Sequence, residues 1–503
     1  MTTVRKYEIF EWTLTADVSG VENPFAQVSL KAVVTGPEGE ARLDGFYDGG
    51  NTFRLRFMPK AEGEYALETQ SNHPALHGLA ASFTALPAPA GDHGPVGVDG
   101  IHFRHADGAR FFVMGTTAYV WHHRPAEIRE RTLASFSRYG FNKIRMLFFP
   151  KHYTGNFGAI DVSYEPPCYP FEGRPGSFDF SRPNPTYFRE YEDRLRELDA
   201  RGIIADTILF HPYDYGHWNI DAGMDEDEAL FYVKYLVARI AAFRNVWWSL
   251  ANEYDIKLLS DKKTLTVGLH VRDWDVIGEF VKARDPSGHP ISCHNITFGR
   301  IYPDRPWMSH VSYQHPDTYT QMIELRARCG KPVIDDEYQY EGNTPDDWGN
   351  SSAELTLERH WRSVMAGGYA THGEAFIREN NRDIFWAYGG DMTGESAKRL
   401  KFLKEIVEKC PFEEMERDLA NTDACNCYAL RKDYDFYLIF MRRAMPVKHL
   451  WLGDRANVLN GIRYKLTRYD AWNCEKLEET VIPASTKLPV EEWRVLTLER
   501  IEA

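Results

Sequence analysis

The 503-residue chain is predicted to be an α/β protein, a (β/α)8 TIM barrel flanked by N-terminal and C-terminal β-sandwich domains. Three observations predict this. Between about residues 96 and 410, apolar runs alternate with amphipathic stretches, as parallel strands alternate with helices. On either side only short period-two alternation appears, bounded by turn residues. Within the central region, two apolar runs stop abruptly at acids: Asn245-Val-Trp-Trp-Ser-Leu-Ala-Asn-Glu-Tyr254 and Lys331-Pro-Val-Ile-Asp-Asp-Glu337. A doubly wound sheet is disfavoured, because no Gly-rich phosphate loop follows the first central strand.

Residues 1–90 read as all-β. Gln27–Val34 and Thr52–Phe57 alternate in polarity, and Gly36-Pro37, Asp48-Gly49-Gly50 and Glu62-Gly63 supply turns. Leu86-Pro-Ala-Pro-Ala-Gly-Asp-His-Gly-Pro95 reads as a linker. In the barrel, residues 96–410, strands are predicted at Phe111–Thr116, Lys143–Phe149, Ile203–Phe210, Val246–Ala251, Pro290–Cys293, Met308–Tyr313, Val333–Asp336 and Gly368–Thr371. Helices are predicted at Pro185–Arg201, Asp225–Phe243 and Trp274–Arg284. Residues 412–503 return to short strands, such as Phe436–Phe440 and Trp493–Leu498, and suggest a second sandwich.

Composition narrows the function classes. The net charge of −14, with no Lys/Arg block, disfavours nucleic acid and anionic membranes as partners. Seven cysteines without a CxxC pair suit a reducing compartment, and the N-terminus lacks a signal-like apolar segment. A cytoplasmic location is therefore expected. A homo-oligomer stays compatible with the composition. Aromatic residues reach 14%, enough to fill cores and to build platforms for apolar sugar faces.

In a parallel barrel the C-terminal strand ends face the active site. Read in order, those ends offer Arg145, then His211, Tyr213 and Asp214, then Asn252 and Glu253. His294 and Asn295 follow, then Tyr313, Gln314 and His315, then Glu337, and finally His372 and Glu374. Two carboxyl groups at such positions suit glycoside hydrolysis, where one protonates the departing oxygen and the other, ionised, attacks the anomeric carbon. Glu253 suits the first role and Glu337 the second. Asn252 suits a sugar hydroxyl, and Arg145 and Tyr313 suit holding Glu337 ionised and aimed. Substrate contacts are also expected from His211, Tyr213, His294, His315, His372 and Glu341. Side chains alternate along a strand, so Asp335 and Glu337 are expected to share a face, with Asp336 the alternative acid if the register slips.

These motifs carry a resemblance. Asn252-Glu253 and Glu337 look like the acid/base and nucleophile of clan-A retaining glycosidases. Asp107-Gly-Ala-Arg-Phe-Phe-Val-Met-Gly-Thr-Thr-Ala118, Phe178-Asp-Phe-Ser-Arg-Pro-Asn-Pro-Thr-Tyr-Phe188 and Lys331–Glu341 resemble segments of the apiosidase-like (DUF4038-type) barrel family. Gly45–Gly50 and Arg56–Gly63 are similar to the DUF5060-like sandwich that precedes such barrels, and the tail resembles a DUF5605-like β domain. The resemblance implies a retaining mechanism with two glutamates and no cofactor. It departs at strand eight, where Ala370-Thr-His-Gly-Glu374 shows no aromatic platform.

Smaller signals complete the reading. Residues 151–186 form a long connection rich in aromatics (Tyr153, Phe157, Tyr164, Tyr169, Phe171, Phe178, Phe180), expected to wall the sugar site or to pack on the barrel rim. His122, His123, His211, His217, His294, His315 and His372 lack the compact spacing of a zinc site, so no metal is expected. No GxSxG supports a serine nucleophile. The expected activity is exo-acting, retaining hydrolysis of an oligosaccharide or glycoside. The alternatives are endo-acting hydrolysis of a polysaccharide and carbohydrate binding without catalysis.

Overall fold

The computed structural model describes residues 2–153, 164–211, 218, 220–255, 272–296, 304–377, 384–452 and 461–501. Eight parallel strands form a nearly closed barrel: β1 Gly115–Thr117, β2 Lys143–Leu147, β3 Ile204–Phe210, β4 Val246–Ala251, β5 Ile291–Ser292, β6 Val311–Tyr313, β7 Val333–Asp335 and β8 Tyr369–His372. Neighbours pair in the order β5-β4-β3-β2-β1-β8-β7-β6. The remaining seam, between β5 and β6, is bridged at Ser309, whose N–H donates to Ile291 O at 2.9 Å and whose Oγ accepts from Ile291 N at 2.7 Å. Several strands are shorter than their apolar runs. Phe111–Met114, for example, precede β1 as buried extended chain, because burial alone does not require a ladder.

Among the described residues, seven longer helices surround the barrel: α1 Ala126–Tyr139, α2 Pro185–Asp199, α3 Glu226–Ile240, α4 Trp274–Arg284, α5 Thr320–Cys329, α6 Ala353–Met365 and α7 Ser396–Val407. Their starts are written locally. Asn184 caps α2 ahead of a proline, Asp225 and Glu228 make a reciprocal capping box on α3, and Ser352 caps α6.

The N-terminal region packs a five-stranded sheet (2–5, 80–86, 63–71, 30–36, 39–44) on a three-stranded one (10–15, 52–57, 46–49). Phe10, Leu55, Tyr65 and Phe83 lie in its core. The expected strand at Gln27–Val34 starts only at Leu30, since Asn23 and Pro24 open a short helical turn over Pro24–Gln27. C-terminally, a six-stranded antiparallel sheet and a two-stranded one enclose another core. That domain docks on the barrel helices through Trp361 stacked on Phe440 (5.0 Å, 12°) and Arg399 lying 3.6 Å over Trp472.

A buried ion network joins the N-terminal sheet to the barrel. Asp48 accepts from Arg54 (2.8 Å), Arg189 (3.0 Å) and Arg239 (2.8 Å). Glu192 on α2 meets Arg56 (2.9 Å) and Arg239 (2.6 Å). Burial would raise the Asp48 carboxyl, but Arg239 and its other partners hold it below the usual Asp value. Breaking such a buried group strands its partners, so Asp48→Asn is expected to cost about 3–5 kcal/mol. The first urea unfolding transition should move down accordingly. Arg42→Ala, at an exposed pair, should leave that transition in place.

Candidate active site

Strand alternation decides what enters the barrel. On β2, Lys143 and Arg145 point inward, and both are buried. On β6, Ser312 points inward, as does the following Gln314, so Tyr313 does not. Tyr313 pairs with Asp335, while His315 accepts the Asp317 N–H at 2.9 Å, at the turn before α5. Thr371 on β8 points inward and His372 outward, where His372 bonds Thr116 (3.0 Å) and stacks on Phe141. Gly115 makes room for Thr371, since a Cβ there would lie 2.5 Å from its Oγ1.

At the mouth, Arg145 Nη1 donates to Glu337 Oε1 at 2.7 Å and Nη2 donates to Asn252 Oδ1 at 2.5 Å. Tyr119, just beyond β1, donates its hydroxyl to the same Glu337 oxygen at 2.6 Å, and His294 Nε2 lies 3.5 Å from it. Burial alone would raise Glu337, but Arg145 first, and then the Tyr119 hydrogen bond, hold it below the usual Glu value. Burial also lowers His294 to about 4, assisted by Arg145, so the imidazole facing Glu337 is neutral at pH 7.

Glu253 follows β4 in the left-handed region, at φ 47°. A side chain there is strained, and the turn re-aims the carboxyl away from the strand direction. Its Oε1 accepts from Gln314 Nε2 at 3.1 Å. Gln314 in turn stands 3.4 Å from His294, so an uncharged amide and a neutral imidazole link the two glutamates.

The strand-seven acids depart from simple alternation. Asp335 points outward, toward Tyr313 and Tyr338, and burial pushes it well above the usual Asp value. Asp336 points into the barrel, where it accepts from Lys143 (2.8 Å), Ser312 (2.5 Å) and Thr371 (2.5 Å). Glu337 therefore does not share a face with Asp335. β7 ends at Asp335, and the departing chain brings Glu337 into the mouth.

Other expected contacts fall elsewhere. Glu341 accepts the Glu395 N–H (2.7 Å) and both Ser396 donors, which makes it a cap for α7 rather than a sugar ligand. His211 ends β3 with Nε2 3.1 Å from Pro150 O. Tyr213, Asp214, His217 and Phe157 lie outside the described residues. His122 and His123 are packed inside, bonded to Leu147 O and the Tyr187 hydroxyl. Of the long connection, Phe171–Arg174 and Ser177–Pro183 form a hairpin, and Phe171 packs against Phe149 and Tyr232 on the rim. An aromatic does stand beyond β8. Trp386, on a short helix after that strand, meets Tyr119 (5.3 Å), Tyr153 (5.2 Å) and Trp348 (4.7 Å). The β8 run itself gave no sign of it, because the ring comes from the following loop.

Glu374 pairs beside Glu341 on a short ladder and accepts from Thr393 N, Thr393 Oγ1 and Gly394 N. Burial raises it from 4.5 to about 7. A carboxyl raised in the folded state is protonated there at pH values where the unfolded chain has already ionised, so its contribution falls as pH rises from about 4.5 to about 7. The stability of wild type minus that of Glu374→Gln, followed by urea denaturation, should decline across this window by up to about 3 kcal/mol and then level off. A flat difference would contradict the assignment.

The model of the apiosidase-like catalytic domain matches residues 98–414, and that of DUF5060, a domain of unknown function, matches residues 3–72. No curated protein matches. A Bacteroides vulgatus crystal structure, described as that of a candidate glycoside hydrolase, is 34% identical with a TM-score of 0.85, covering 100% of both chains. A family 5 glycoside hydrolase from Bacteroides vulgatus has the same fold at 19% identity and a TM-score of 0.58, over 82% of this chain and 93% of its own. The protein is a glycoside hydrolase acting on a carbohydrate, and its chain belongs to the apiosidase-like catalytic-domain family.

Proposed function

We propose that the chain is a retaining, exo-acting glycoside hydrolase that removes a terminal sugar from an oligosaccharide or glycoside by double displacement. The observation that carries this reading is the meeting of two carboxyl groups at one barrel mouth, joined through Gln314 and His294. Glu337 lies against a buried guanidinium and a phenol, which keep it ionised and aimed. Glu253, just beyond β4, accepts from the Gln314 amide at the same mouth, and that place suits it to the acid/base role.

In the first step Glu337 attacks the anomeric carbon, and Glu253 protonates the departing oxygen. In the second, Glu253 takes a proton from water as that water attacks the glycosyl-enzyme, and Glu337 leaves as a carboxylate. Asn252, fixed by Arg145, is placed to meet a sugar hydroxyl. Trp386 packs on Tyr119, the phenol that meets Glu337, and Tyr340 and Trp348 pack on Trp386, an aromatic cluster beside the mouth that suits enclosure of a chain end. A reducing, cytoplasmic location remains part of this proposal and rests on the unpatterned cysteines.

A panel of aryl pyranosides and furanosides tests the reading. Wild type should turn over one sugar class, and Glu337→Ala should abolish that turnover. Glu253→Ala should lose about 10²–10⁴-fold, with the larger loss on substrates whose leaving groups are poor. Release of internal fragments from a polysaccharide, with no aryl glycoside cleaved, would instead indicate endo action.

A further inference from the structure

Below the two glutamates, the barrel interior holds charges that the displacement steps do not use. Lys143 Nζ lies 2.7 Å from Asp206 and 2.8 Å from Asp336, with all three side chains buried. Asp336 also stands 3.9 Å from Arg145 Nε, and its backbone oxygen accepts from Arg145 Nη1 at 3.3 Å. Two neighbouring carboxyl groups, Asp336 and Glu337, therefore have access to one guanidinium. What divides it between them is the second cation, Lys143.

We propose that Lys143 is a positioning residue for Glu337, cancelling the charge of Asp336 so that Arg145 remains committed to the nucleophile. A buried ion pair contributes little to net stability compared with apolar residues of the same shape, so stability alone does not account for Lys143. The geometry accounts for it differently. Without the ammonium group, the hydrogen-bond and ionic partners left to Asp336 among the described residues are the Ser312 and Thr371 hydroxyls and Arg145, with the neutral His294 and His310 beside them. The guanidinium would be drawn toward Asp336, and Glu337 would lose the partner that favours its charged form. Lys143 is too deep to touch a sugar at the mouth and acts only through Asp336 and Arg145.

The groups that bear on this balance come from every adjoining element. Arg145, Tyr119, His294 and Tyr340 face Glu337, and Glu253 reaches it through Gln314 and His294. His294 and His310 also face Asp336, both neutral at pH 7 because burial lowers them to about 4 and about 3. Neither can replace the lysine charge.

The inference rests on Glu337 being the nucleophile, but its test requires no turnover. Full-length protein carrying ¹³C-labelled glutamate carboxyl groups is titrated by NMR, with Glu337 assigned from the signal missing in Glu337→Gln. In Lys143→Met the Glu337 midpoint should rise by at least one pH unit. In Lys143→Met/Asp336→Asn most of that rise should be lost, since the carboxylate that contacts Arg145 is gone and Asp206, the other partner of Lys143, is the one left without its cation. An unmoved midpoint in folded Lys143→Met, or an equal rise in the double variant, would overturn the proposal. If Lys143→Met does not fold, Asp336→Asn decides the matter. It frees Arg145 and leaves a cation less compensated, so the midpoint should fall, and a rise or no change would refute the role of Lys143. Failure of the glycosidase reading would appear separately, as absent hydrolysis with these shifts intact.

Discussion

The Arg145 guanidinium is buried at the barrel mouth with Glu337 and Asn252 on its terminal nitrogens, so one planar cation fixes groups from the ends of β2, β4 and β7. A buried charge is tolerated only when its donors are taken, and every acceptor around Arg145 is one that hydrolysis would use or adjoins such a group. Arginine suits this place better than lysine, because its fork holds two acceptors in a set geometry and stays protonated. Burial opposes that charge, while the oxygens of Tyr119, Glu337 and Asp336 restore it. The barrel thus supplies a dry, rigid frame in which the charge of Glu337 depends on named neighbours and little on solvent.

Much of this was legible in the sequence. Apolar runs ending at Asn252-Glu253 and Glu337 marked β4 and β7, because a parallel strand must stay apolar until it reaches the mouth. Arg145 and His294 were found by the same rule, and both lie beside Glu337. What was lost was mainly facing. Tyr313 and His372 sit at strand ends, yet a one-residue difference puts them on the helix side, and Gln314 takes the inward place. Glu341 reads as a sugar contact in the sequence but caps α7, a role set by a helix more than fifty residues later. Tyr119 lies just past its strand and Trp386 on a short helix well beyond β8, where period-two reasoning no longer gives a direction. The left-handed turn at Glu253 has no sequence signature at a non-glycine residue.

The flanking sheets bear on the mouth only indirectly. Asp48 and Arg56 of the N-terminal hairpin lock onto α2 and α3, the helices that back β3. Trp361 on α6, the helix between β7 and β8, stacks on the C-terminal domain. Both contacts hold the helix layer against which the strands carrying Arg145, Glu253 and Glu337 are packed. The buried ions at the N-terminal junction set one docking geometry in place of general adhesion, since displaced partners would leave charges unpaired.

The central claim is that Glu337 forms a covalent bond to the sugar while Glu253 does not. Incubation with an activated 2-deoxy-2-fluoro glycoside of the sugar that the enzyme cleaves, followed by intact-mass and peptide mass spectrometry, tests it most directly. The account predicts one added glycosyl unit per chain, located on Glu337. Label on Glu253 or Asp336, or inactivation with no covalent adduct, would contradict it.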